Sequence, residues 1–262
     1  AKSKTDLKNV KNQWKKIIDA VGLKEFPIFL RYYLVATRKQ ITKEYLFKEI
    51  KSFIKNAEDV FDLLDSLEFY AYNYIALGNS DDQLWNTDKE LRININVLKA
   101  FRVTQWKPLA LVAYEKLSNQ DFKKLINAIV SISFRYNVVA KLQTNEMEKV
   151  YSKAAINLYK GNTQNLQMVI NDLKSIYVND EDFRNYFMTK QFRTANSTEQ
   201  KLARYTLYKL ESQENNGNSY DFTIDDGTIE HILPENPSED WLEFFDEKSI
   251  EKYIYSVGNL NL

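Results

Sequence analysis

The chain has 262 residues, of which 44% are hydrophobic and 14% aromatic, so it can bury a large core and is not a disordered tail. It contains no cysteine and one histidine, which excludes disulfide scaffolds, cysteine-ligated zinc, thiol catalysis and multi-histidine metal sites within these residues. The formal net charge is zero, yet residues 1–60 carry 14 basic against 7 acidic side chains, and residues 211–262 carry 2 against 13.

The first 211 residues show apolar side chains at helical spacing throughout. Few turn-forming residues, 6 glycines and 4 prolines, favour long helices over a β-sandwich or barrel. We therefore predict an all-helical domain over residues 1–214, with about ten helices. No signal peptide opens the chain, and no apolar run approaches the ~18 residues of a membrane helix, so we expect a cytoplasmic location and no membrane partner.

The first predicted helix carries a basic stripe formed by Lys8, Lys11 and Lys15. Lys11 and Lys15 are four residues apart and therefore lie on the same helix face, and Lys8 continues the stripe. A basic stripe of this kind can contact the phosphates of a polyanion. A solvated helix face with no ligand is the alternative interpretation.

The sequence pattern changes after the last predicted helix. A polar cluster over residues 215–219 predicts a domain boundary, and residues 220–224 alternate as a strand does. A turn at residues 225–227 and a returning strand at residues 228–232 complete a predicted hairpin. Short helices at 241–245 and 250–255 and a last strand from 257 follow, so residues 220–262 predict a small α+β unit.

The only histidine, His231, follows Glu230 in this predicted hairpin. A carboxylate can hold a hard divalent cation through oxygen, and an imidazole can take a proton from an attacking water at neutral pH. Adjacent strand residues point to opposite faces, so both can serve one site only where the strand frays into a loop. Pro234 favours such a break. The alternative is a lone histidine beside a solvated glutamate.

The pattern continues with Trp241 and then Gly258-Asn259-Leu260-Asn261-Leu262. With Glu-His-Ile-Leu-Pro over residues 230–234, it resembles the HNH-like (ββα-metal) nuclease domain of GmrSD-type, modification-dependent (type IV) restriction endonucleases. The helical region, including Arg135, is similar to the middle region of that family. The resemblance implies a mainly α fold, a large helical bundle followed by a small, truncated α+β HNH-like unit.

The resemblance also implies roles for individual residues. His231 would be the general base, Glu230 a ligand of Mg²⁺ or another divalent cation, and Asn259 a catalytic-site residue that hydrogen-bonds the loop of His231 and orients the imidazole. Asp225 or Asp226 could be a second acidic ligand, although a turn explains both residues better. Trp241 fits a core anchor better than a base-stacking platform.

The function implied is a metal-dependent DNA endonuclease of a phage-defence (antiviral) restriction-modification system, acting on DNA with modified cytosine. In that family a final metal-ligand asparagine follows the Gly-Asn-Leu strand, so we expect these residues alone to be inactive. A nucleoside triphosphate would enter only through an N-terminal domain absent from this chain. The chain could contact that domain or form a homo-oligomer. The alternative is a non-catalytic helical DNA- or protein-binding module with a degenerate nuclease-like end.

Overall fold

The computed structural model describes residues 4–214 and 227–262. The predicted boundary cluster at 215–219, the first hairpin strand at 220–224, and Asp225 and Asp226 lie outside the described residues.

Thirteen α-helices and one two-stranded sheet form the described part of the chain, which confirms the prediction of a mainly α fold with a small α+β unit. The helices of the first two thirds of the chain are α1 (Lys4–Val21), α2 (Phe26–Thr37), α3 (Leu46–Phe53), α4 (Ala57–Ala76), α5 (Lys89–Ala100), α6 (Lys107–Lys116), α7 (Asn119–Ser133), α8 (Thr144–Tyr159) and α9 (Leu166–Asp172). The rest are α10 (Asp180–Met188), α11 (Ser197–Glu214), β1 (Glu230–His231), α12 (Glu239–Leu242), α13 (Glu247–Tyr253) and β2 (Leu260–Asn261).

The chain divides into two compact units by the density of its internal contacts. The first comprises Ala1–Ile95, Val103–Ile132 and Gln143–Tyr177. The second comprises Asn96–Arg102, Ser133–Leu142 and Val178–Leu262, so α11 and the sheet belong to one unit. The domain boundary between 214 and 220 stays a prediction from the sequence.

The first unit is a helical bundle in which α1 packs on α4, and α2, α6 and α8 pack on one another. Ala110 and Ala113 on α6 and Ala154 on α8 are fully buried, and side chains this small let packed helices approach closely. Local sequence signals set the helix ends. The Asn56 side chain accepts a hydrogen bond from the backbone N–H of Asp59 in a capping box at the start of α4.

The second unit is built around aromatic contacts and a π-helix, Phe134–Val139, that continues from α7. The ring of Phe101 lies 5.0 Å from that of Tyr205, which in turn lies 5.4 Å from Phe134. The Arg135 guanidinium donates to the carbonyl of Val178 at 2.9 Å and pairs with Asp180 at 2.6 Å. Arg135 therefore fixes the start of α10 within this unit.

Across residues 4–214 and 227–262, no helix is both long enough and apolar enough to cross a bilayer.

Candidate functional site

The sheet of the second unit joins two short segments that are far apart in sequence. β1 and β2 are antiparallel, with Glu230 opposite Asn261 and His231 opposite Leu260. A third extended segment lies alongside, because Gln191 forms an isolated antiparallel bridge with Ser256 and the Phe192 N–H donates to the Tyr255 carbonyl at 2.8 Å. This arrangement brings the segment before α11 to the edge of the site.

The strands are shorter than predicted. The predicted strand at 228–232 is reduced to the two residues of β1, and the last strand begins at Leu260 because residues 257–259 form a 3₁₀ turn. The turn is closed by a local hydrogen bond, because the backbone N–H of Asn259 donates to the Ser256 carbonyl at 3.0 Å and not to a strand partner. It leaves the Asn259 side chain free to serve the neighbouring loop.

Asn259 is buried, and its side-chain amide makes three hydrogen bonds to backbone groups. Its Oδ1 accepts from the N–H of Leu233 at 2.7 Å, and its Nδ2 donates to the carbonyls of Leu233 at 3.0 Å and Ile254 at 2.9 Å. The backbone N–H of Ile232 also donates to the Asn259 carbonyl at 3.0 Å. The predicted contact between Asn259 and the loop after His231 is therefore present in the structure.

The His231 side chain is 12% exposed and has two polar neighbours at one ring nitrogen. Its Nε2 lies 3.2 Å from the Thr194 hydroxyl and 3.7 Å from a carboxylate oxygen of Glu235. The ring of Tyr255 packs edge-on against the imidazole with a centroid distance of 5.9 Å. Among the hydrogen bonds of residues 4–214 and 227–262, none involves His231 Nδ1. The arrangement orients the imidazole through Nε2 and leaves Nδ1 for other chemistry.

Glu230 is exposed and does not share these contacts. Its carboxylate accepts a hydrogen bond from the Thr228 hydroxyl at 3.1 Å. Adjacent strand residues project to opposite faces, so Glu230 and His231 point away from each other. Within the described ranges there is no group of three or more histidine, aspartate or glutamate side chains able to hold a metal ion. Glu230 thus offers one carboxylate ligand, which by itself does not make a divalent-cation site.

Three residues of the site were missed by the sequence analysis, namely Thr194, Glu235 and Tyr255. Glu235 is four residues from His231 on the other side of Pro234, a spacing that carries no signal in a loop. Thr194 precedes His231 by 37 residues, and only folding brings it near. Burial raises the pKa of the Tyr255 hydroxyl, and its hydrogen bond to Glu235 raises that pKa further. The tyrosine therefore stays protonated and neutral beside the carboxylate.

The basic stripe belongs to the first unit and is not part of this site. Lys8, Lys11 and Lys15 are exposed on α1, and none of them forms an ion pair with a residue that the structure describes. The neighbouring Lys16 instead pairs with Glu68 on α4. Trp241, which was predicted to be a core anchor, is half-buried on α12, and its ring lies 6.1 Å from that of Phe245.

Comparison with known families gives a match to the last part of the chain. Residues 177–262, about a third of the chain, match the family described as GmrSD restriction endonucleases, C-terminal domain. The match begins at Tyr177, and the longest segment of the second unit begins at the next residue, Val178. The match also contains every residue of the His231 site. It supports the predicted resemblance to a GmrSD-type C-terminal region. No curated protein matches the sequence.

Proposed function

We propose that the second unit is the nuclease part of a restriction endonuclease that hydrolyses DNA phosphodiester bonds, with His231 as the general base. The observation that carries the proposal is the mostly buried His231 on a loop pinned by Asn259, inside the region that matches the GmrSD C-terminal domain. Hydrolysis at neutral pH needs a base of this type, because the reference pKa of an imidazole lies near 6.5.

The contacts of the ring suggest which nitrogen acts. The Thr194 hydroxyl donates to a carboxylate oxygen of Glu235 at 3.4 Å, so its oxygen is left to accept a hydrogen bond from His231. This arrangement favours the form of His231 that carries its proton on Nε2, 3.7 Å from the Glu235 carboxylate. The lone pair is then on Nδ1, which takes the proton of an attacking water. The water oxygen forms the new bond to phosphorus, the bond from phosphorus to the leaving oxygen breaks, and that oxygen is protonated from solvent.

Asn259 acts in this proposal as a positioning residue. It holds both backbone polar groups of Leu233, two residues after His231, and so fixes the direction of the loop. A base must lie within hydrogen-bond reach of the proton that it removes, so an error of about 1 Å in the loop would cost activity. Thr194 and Glu235 restrict the rotation of the ring itself.

Restriction endonucleases generally use divalent metal ions. A bound divalent cation would supply positive charge at the phosphate. Glu230 was expected to be one of its ligands, but its carboxylate points away from His231 in β1, so this role rests on the family resemblance alone. The described residues do not complete the ligand set, so no step is assigned to the ion. We further propose that the substrate is DNA with modified cytosine and that the protein serves in phage defence.

A second candidate function is supported by α1. Three exposed lysines without ion-pair partners among the described residues suit a helical module that binds DNA phosphates without cutting them. In that case the His231 loop would be structural only.

The test is a plasmid-cleavage assay of the full-length protein, on modified and unmodified DNA, with and without Mg²⁺. We expect the variant His231→Ala to lose about 10²–10⁴ in cleavage rate and to bind DNA as the wild type does. Normal cleavage by His231→Ala would remove the nuclease assignment from this site and leave the binding module as the better explanation.

A further inference from the structure

A cavity of about 620 Å³ lies in the second unit, beside the segment that carries Thr194. Its lining comes from the end of the π-helix, the end of α10, the extended segment and the start of α11. The charged residues of the lining are Lys141, Lys190, Arg193 and Glu199. None of them belongs to the His231 site described above, and the general-base mechanism does not use them.

The cavity carries more positive than negative charge. The Nζ atoms of Lys141 and Lys190 each lie 3.3 Å from an oxygen of Glu199, so two ammonium groups share one carboxylate. The third cation of the lining, Arg193, is exposed and forms no ion pair with any residue in the described ranges. Glu199 is the only acidic residue in the lining, which leaves an excess of two positive charges.

Lys190 is unusual because its side chain is only 3% exposed. Burial lowers the pKa of this ammonium group, the Glu199 carboxylate opposes that change, and the nearby Lys141 lowers the pKa further. A buried cation next to a second cation is costly unless an anion compensates it. The arrangement therefore favours a bound anion more strongly than an ordinary exposed lysine pair would.

The backbone at Lys141 adds an independent observation. Its φ is +51°, in the left-handed region that residues other than glycine and asparagine seldom adopt. Strained residues of this kind persist where the surrounding structure holds them, and they cluster at ligand-binding sites. Here the strained position directs a lysine to Glu199 at the cavity.

The position of the cavity indicates its ligand. Arg193 is followed directly by Thr194, whose hydroxyl lies 3.2 Å from His231 Nε2. The charge of Arg193 also opposes the rise that burial causes in the pKa of the Tyr255 hydroxyl, and the Tyr255 ring packs against the imidazole. An anion held by Arg193 would thus be near the residues that contact His231. Arginine can bind two phosphate oxygens at once, and lysine adds a point charge.

We propose that Lys141 and Arg193 bind a backbone phosphate of the DNA strand whose neighbouring phosphodiester is presented to His231. The buried ammonium group of Lys190 adds positive charge to this site. This inference rests on the proposed nuclease function, which it deepens by naming residues that position the substrate. It makes the cavity a second DNA contact, separate from the lysine stripe of α1.

The experiment measures binding of a short duplex DNA to the full-length protein by fluorescence anisotropy over a series of salt concentrations. The test variant combines Lys141→Gly with Arg193→Gln. Glycine suits the left-handed position, so removal of the lysine should not harm the fold. The matched control combines Lys201→Gln with Lys248→Gln, two exposed lysines of the same unit outside the cavity.

We expect Kd at low salt to rise about tenfold for the test variant and the salt dependence of log Kobs to become shallower by about 0.9, the value for one phosphate contact. The control should change Kd less than twofold. Equal changes in the two variants, or no DNA binding by the wild type, would overturn the proposal.

Cleavage by the same proteins separates the two hypotheses. If His231→Ala abolishes cleavage while the test variant keeps the wild-type Kd, the cavity proposal is wrong and the nuclease proposal stands. If His231→Ala cuts normally but the test variant binds DNA tenfold more weakly than the control, the phosphate site stands and the nuclease proposal is wrong. An Arg193→Lys variant with near wild-type Kd would support an electrostatic contact.

Discussion

Asn259 and Leu233 are joined by two hydrogen bonds, in which the side-chain amide of one pairs with both backbone polar groups of the other, at 2.7 and 3.0 Å. The amide thus replaces a strand partner at a position where β1 has already ended. Only a side chain with both a donor and an acceptor can do this, which explains an asparagine at the site. The third bond, to the Ile254 carbonyl, ties the same amide to the end of α13.

Removal of this amide should destabilise the second unit. Asn259→Ala leaves the N–H of Leu233 and two carbonyls without partners, and each buried unpaired group costs about 1–3 kcal/mol. Asn259→Asp keeps the acceptor but places a carboxylate against two carbonyl oxygens, so this variant should also destabilise the second unit. Hydrogen exchange of the Leu233 amide measures the effect locally. The control Asn261→Ala, at an exposed residue of β2, should leave that exchange unchanged. Wild-type protection in Asn259→Ala would contradict the role.

Glu235 should matter for cleavage through the orientation of His231 and not through DNA binding. Glu235→Gln replaces the acceptor of the Thr194 hydroxyl by a group that can also donate, so the Thr194 oxygen is no longer held as the acceptor for the Nε2 proton of His231. We expect the cleavage rate to fall about 10–100-fold, as is typical for residues that orient a functional histidine. DNA affinity should not change. Glu239→Gln, an exposed residue of α12, is the matched control. Equal rates for the two variants would show that Glu235 does not orient the base.

The proposed ligand role of Glu230 can be tested by its metal dependence. Glu230→Gln should raise the Mg²⁺ concentration for half-maximal cleavage by about tenfold or more, because a neutral amide binds a hard cation less well. A second measurement is the Mn²⁺-dependent rise in the unfolding temperature of the full-length protein, which should shrink in the variant. The exposed Glu243→Gln should behave as the wild type. A variant with an unaltered metal response would show that other groups hold the ion.

The lysine stripe of α1 should contribute to DNA affinity without base specificity. Replacement of Lys8, Lys11 and Lys15 by glutamine should reduce the salt dependence of log Kobs by about two to three, since each phosphate that a lysine neutralises accounts for about 0.9. The control changes the same number of charges elsewhere on the first unit, at the exposed residues Lys48, Lys51 and Lys55. Similar slopes for the two triple variants would place the DNA-binding surface on another part of the protein.

Much of the helical structure could be predicted from the sequence. Apolar spacing and local end signals, such as the capping box at Asn56 and the proline near the start of α2 and of α6, act over a few residues. They are present in the chain whatever the tertiary structure is. His231 and Asn259 could likewise be singled out, because each lies in a short local pattern, and both lie within the residues that the family match covers.

The sequence by itself determined the helical class, the small α+β end and the identity of the residues at its centre. Only the tertiary structure decided that Thr194 and Glu235 surround His231, that Glu230 points away, and that two lysines share Glu199. The reason is physical. Helix periodicity and capping depend on neighbours within one or two turns, whereas these contacts depend on how segments tens of residues apart pair and pack. The pairing of β1 with β2 joins residues 29 and 31 positions apart and leaves no periodic trace in the chain, so the surroundings of His231 follow from the fold alone.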